Sequence, residues 1–184
     1  MRMTTSNGSN DLLTVHVLRV PMAVSARSTQ HFEELMREFA LITLDTERDR
    51  ESTDSTRPVP NRLLDVVAEL TNEFAAFTAA VTAQREEAAA RGDSEIDLTY
   101  HMPASTADAV RQLEALLEEV DDFCRSGQHL ITLATPPESL AFRQWYFNEF
   151  LAQIERDEPP VPWPDYVTEH HKDAEWAHAD STQR

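Results

Sequence analysis

The chain has 184 residues, 41% of them hydrophobic, enough for one domain with a core of its own and too many for a chain that stays unfolded. Lysine and arginine total 16 against 33 aspartates and glutamates, a net charge of −17. A field of that sign repels phosphate backbones and anionic lipid, which argues against direct nucleic-acid or membrane binding and favours basic protein partners, or plain solubility.

Residues 1–10 are polar and read as a disordered leader with no apolar signal core. Leu12 to Val20 is rich in β-branched residues and stops at Pro21, the pattern of a strand. From about Ser25 to Leu44 the period changes, with Phe32, Leu35, Met36, Phe39 and Ile42 on one helical face. Residues 45–58 are charged, unpatterned and expected in an exposed loop.

Pro60 opens a long helix that runs to about Arg91. Leu63, Val67, Leu70, Phe74, Phe77 and Val81 alternate steps of four and three, the seam of coiled-coil-like packing. Beyond Val81 the seam turns to Gln84 and alanines, so the last turns are expected to project into solvent. Ile96, Leu98, Tyr100 and Met102 alternate with polar residues as a second strand, closed by Pro103. Ser105 fits an N-cap, and Val110, Leu113, Leu117, Val120 and Cys124 carry a second seam.

Thr135-Pro136-Pro137-Glu138 has the form of a capping box with proline at the first helical position. That helix reaches about Glu155, with Leu140, Phe147, Leu151 and Ile154 as its expected core stripe. Pro159 to Pro164 reads as a stiff extended segment with Trp163 packed down, and residues 166–184 as a polar tail.

The order strand, helix, long helix, strand, helix, helix suggests an internal duplication. Pro21 and Pro103 close the two strands 82 residues apart. Phe32, Leu35, Met36 and Phe39 match Leu113, Leu116, Leu117 and Val120 at a constant separation of 81. Pro60 and Asn72-Glu73-Phe74 match Pro136 and Asn148-Glu149-Phe150 at 76. Such matches also arise by chance between amphipathic helices. The fold class read from this is α+β and mostly helical: two βαα units in a pseudo-twofold duplication, giving two short antiparallel strands with a four-helix layer. One domain spans residues 11–165, with repeat units at about 11–92 and 93–158. Pairing of the strands across a homodimer is the alternative.

Few groups point to chemistry. The three glycines are Gly8 in the leader and Gly92 and Gly127, each following a helical pattern, so none is left for a phosphate loop or a nucleophile elbow. Cys124 lies in an apolar stripe and reads as core. The seven histidines supply a single helical Glu-x-x-His pair, Glu175 with His178, so no metal site and no cofactor is expected. Glu114, Glu118, Glu119, Asp121 and Asp122 read as a solvated helix face. The helix of residues 142–150 stands apart, because Phe142, Arg143, Trp145, Tyr146 and Phe150 fall outside its expected core stripe. Trp, Tyr and Arg dominate binding hot spots, so these five are the candidate protein interface, against the alternative of a helix buried on both sides.

Leu-Arg-Val-Pro, Glu-Leu-Met-Arg-Glu-Phe-Ala-Leu-Ile (34–42), His-Leu-Ile-Thr-Leu-Ala-Thr-Pro-Pro-Glu (129–138), Phe-Arg-Gln-Trp-Tyr-Phe-Asn-Glu-Phe (142–150) and Pro-Trp-Pro (162–164) are the residues that suggest a family. Over residues 12–165 the chain resembles a group of small actinobacterial proteins encoded beside anti-sigma-factor kinases and STAS-domain antagonists. The resemblance implies a setting of partner-switching control of transcription and carries no catalytic residues across. The kinase role is excluded by the missing glycines. Asp54-Ser55-Thr56 superficially looks like an antagonist's phosphorylation site but lies in a charged loop between helices. The expected function is thus non-catalytic: a cytoplasmic regulatory module for a protein partner (an anti-sigma kinase, a STAS antagonist or a sigma factor), with homodimerisation open. The alternatives are an acidic nucleic-acid mimic that occupies a basic protein and, behind it, a helical metalloenzyme.

Overall fold

The structure is a computed structural model, and it describes residues 12–48, 59–126 and 134–177, the side chains of 44–48 excepted. Strand β1 (Leu13–Pro21) leads directly into helix α1 (Met22–Arg48), and α2 (Val59–Arg91) follows. The second unit repeats the order as β2 (Glu95–Met102), α3 (Thr106–Ser126) and α4 (Pro137–Glu155), and a short α5 (Trp163–His170) comes last. The leader, Asp54-Ser55-Thr56, Gly127, His129 and His178 lie outside the described residues. Helix α1 is longer than its apolar pattern, beginning at Met22 rather than Ser25, because Met22 N–H is taken up by Ser94 O as the strand ends.

The two strands pair antiparallel within the chain, with Leu13 opposite Met102 and Val17 opposite Leu98. The register slips between Val17 and Val20, where Arg19 takes a left-handed φ of 53°. The slip follows from the sequence: Val15, Val17 and Val20 are all fully buried, and the step of three from Val17 to Val20 breaks a period of two unless one residue bulges out. Asp97 Oδ1 holds the bulge by accepting Arg19 N–H at 2.7 Å, and Glu95 pairs with the Arg19 guanidinium. The outer edge of β1 is covered by Gln153 of α4, whose amide accepts His16 N–H at 2.8 Å and donates to His16 O at 2.7 Å. An edge strand satisfied in this way is closed to pairing with another chain at that point.

The four long helices close a ring in which α1 packs on α2 and α4, and α3 packs on the same two. Helix α2 lies on β2 and α4 lies on β1, so each unit's second helix covers the other unit's strand. These contacts have the exchange symmetry that a pseudo-twofold requires. Matched positions also share a core: Leu35 with Leu116 and Phe39 with Val120 in one apolar cluster, Phe74 with Phe150 in the other. The first cluster, around Phe39, Leu63, Leu117 and Val120, fills the middle of the helical ring. The second joins the strands to α2, α4 and Trp163.

Four expectations need correction. The end of α2 does not project freely: Ala88 is fully buried and Arg85 turns inward, because the four-three seam runs on through Val81, Arg85 and Ala88 instead of Gln84. Thr135 does not cap α4; no side chain does, Thr135 Oγ1 donates instead to Asp121 Oδ1 at 2.6 Å, and Glu138 pairs with Arg27. The residues after 165 are not a detached tail, since Tyr166, Val167 and Trp176 pack against the second cluster, Trp176 stacking on Trp163. Asp121 is buried, unlike its neighbours on the acidic face. Gly92, with φ at +75°, ends α2 in the left-handed position its place predicted.

Candidate functional site

Helix α4 is aromatic nearly all round because it is covered nearly all round. Phe142, Trp145 and Phe150 are 7%, 0% and 6% exposed, so they do not form the surface patch expected of them, and Leu140, Phe147, Leu151 and Ile154 are only half-buried. The reason is tertiary: α4 lies against β1, α1 and α3, and the proline segment after it folds back across the same helix. Trp145 Nε1 donates to Val161 O at 2.8 Å, and the Trp145 and Phe142 rings both meet Trp163, at 5.3 and 5.6 Å between centroids. Val161 N–H in turn donates to Glu149 Oε2 at 3.0 Å.

Arg143 and Tyr146 lead to two polar clusters. Arg143 forms a largely enclosed ion pair with Asp121, which also accepts from Thr135. Tyr146 bonds to the Tyr100 hydroxyl and accepts from Arg85 Nη2 at 2.6 Å, while Arg85 Nη1 reaches Ser25 Oγ at 3.4 Å. Burial, with Tyr100 adding to it, holds the Tyr146 hydroxyl well above its ordinary pKa in spite of Arg85. Two neutral phenols clasping one guanidinium tie α1, α2, β2 and α4 together. Arg85 escaped the sequence reading, although it occupies the next position of the α2 seam.

Two hollows adjoin these clusters. A cavity of about 260 Å³ opens between α1, α3 and α4, with Phe32, Leu117, Phe142 and Phe147 among its walls and Ser28, His31 and Arg143 at its margins. Burial lowers the His31 pKa, against the opposing pull of Glu34 and Asp121. A longer groove of about 680 Å³ runs between α2 and α3, floored by Tyr146, Phe147 and Phe150. Its α2 side is built from Ala75, Ala79 and Ala83 with interleaved threonines; Glu86 is the one charged side chain lining it.

Among the described residues no three His, Cys, Asp or Glu side chains gather to hold a metal ion, and no helix is long and apolar enough to cross a membrane. Cys124 is buried, and burial followed by the nearby Asp121 pushes its thiol pKa up, away from the thiolate a nucleophile needs. Compared with family models, curated proteins and solved structures, the chain matches none.

Proposed function

We propose that this chain is a non-catalytic regulatory adaptor in partner-switching control of a sigma factor, and that it receives a basic amphipathic helix of its protein partner in the α2–α3 groove. The observation that carries this reading is the groove itself. It is apolar along its floor, small-residue along one wall, and lined by no lysine or arginine. A helix laid in it would bury its apolar face on Tyr146, Phe147 and Phe150, with alanines allowing close approach. The exposed faces beyond the groove carry Glu69, Glu73 and Glu87 on α2 and Asp108 on α3, in a chain of net charge −17. That favours basic residues on the flanks of the incoming helix.

The test is capture of an anti-sigma kinase, a STAS antagonist or a sigma factor by purified chain, at 50 mM and 500 mM salt, with wild type and with Ala75→Arg. Ala75 is exposed on the groove wall, so the substitution leaves the core alone while blocking the groove and reversing its charge. The expected result is one-to-one capture that survives high salt and is lost in the variant. Capture restricted to basic nucleic-acid-binding proteins, released by salt and indifferent to Ala75→Arg, would replace the adaptor with a charge mimic.

A further inference from the structure

Helices α1, α3 and α4 do not close completely on one another, and the cavity they leave is walled almost entirely by carbon, chiefly from Phe32, Leu117, Phe142 and Phe147. Water in such a place finds few partners, and an apolar solute displaces it readily; an enclosed apolar cavity of ~150 Å³ takes up benzene. At about 260 Å³ this one is larger, though smaller than most drug-sized sites.

Two polar atoms in its α1 wall are enclosed without a hydrogen-bond partner, Ser28 Oγ and His31 Nε2. A buried donor or acceptor left unmade costs ~1–3 kcal/mol, so a molecule that brought one polar group to this wall would relieve that cost. The imidazole is held neutral by burial, and a hydroxyl both donates and accepts, so the wall suits a hydroxyl or a carbonyl.

Charge narrows the choice further. Arg143 at the margin is already paired with Asp121, so an anion finds no unneutralised guanidinium there and meets the repulsion of a chain at −17. A cation would have to shed its water into a carbon-lined hollow. We infer that this cavity is a binding site for a small neutral molecule, one or two rings or a short hydrocarbon carrying a single hydroxyl or carbonyl that pairs with Ser28 or His31.

The probe is 1-naphthol, titrated into the full chain by calorimetry, with 1-naphthoate and 1-naphthylmethylammonium as charged analogues of the same body. The expected result is one saturable site for 1-naphthol, with both ions bound about ten-fold more weakly or worse. Ser28→Leu fills the hollow and removes the hydroxyl; folded by circular dichroism, it should lose the site and melt higher. Ser28→Ala adds no bulk and guards against a folding failure, and it should weaken 1-naphthol about three-fold or more. No saturable binding to folded wild type, equal binding of the three probes, or undiminished binding by both variants would overturn the assignment. The test contains no partner protein, so its outcome is independent of the adaptor role.

Discussion

Glu149 and Asp121 are both carboxylates inside the protein, and their surroundings treat them differently. Glu149 is 1% exposed with no cation beside it. Burial raises its pKa from 4.5 to about 7, against the lowering effect of bonds from Val161 N–H and Gln153. The folded state therefore holds a proton that the unfolded chain releases, and stability must fall as pH rises through the window between 4.5 and about 7. Wild type should lose roughly 2–3 kcal/mol between pH 5 and pH 8 from this group. Glu149→Gln, which keeps an acceptor for Val161, should flatten that slope in urea melts at the two pH values. Asp121 is instead neutralised by Arg143 and bonded by Thr135. Asp121→Asn leaves the guanidinium enclosed without its counter-charge, and a loss of about 3 kcal/mol in urea denaturation is expected.

Helix α4 shows how one element acquires several surfaces. Its Trp145 holds the proline segment, its Gln153 closes the edge of β1, its Tyr146 binds Arg85 of α2, and its Arg143 binds Asp121 of α3. With so many partners it has no solvent face of ordinary width, which is why its apolar residues show no clean stripe. Trp145→Ala would thus empty the core by ~3–5 kcal/mol and cannot serve as an interface probe. The end of α2 is governed more locally. A Cβ placed on Gly92 would meet nothing within 4 Å, yet φ is +75°. Gly92→Ala should therefore cost about 1 kcal/mol through the backbone alone, read as a lower melting temperature with binding unchanged.

At the scale of the molecule, the exchange of covering helices between the two units makes neither unit complete without the other. Each strand is covered by the second helix of the opposite unit, and Leu113, Tyr146 and Phe147 line both the cavity and the groove. A molecule in one hollow therefore touches the wall of the other. The surface around this frame is strongly like-charged, at −17 for the whole chain. Self-repulsion of that kind weakens the compact state and is screened by salt. Raising NaCl from 10 to 200 mM at pH 7 should lift the melting temperature, while a flat response would mean that local ion pairs such as Arg62–Glu119 and Arg111–Glu155 already absorb the repulsion.

What the sequence determined by itself was the order and kind of elements, through short-range rules. Alternation marked both strands, steps of three and four marked the helices, Pro21 and Pro103 marked the strand ends, and Gly92 marked the end of α2. The duplicated pattern also foretold which positions share a core, because Leu35 and Leu116, or Phe74 and Phe150, meet the same periodic demand in each unit. Only the tertiary structure decided which face of α4 is inside, that Asp121 and Arg85 turn inward, that Thr135 serves Asp121 instead of its own helix, and that a cavity and a groove remain between helices. Those outcomes depend on neighbours distant in sequence. Periodicity reports how a residue is placed on its own element and carries no term for what packs against the other side.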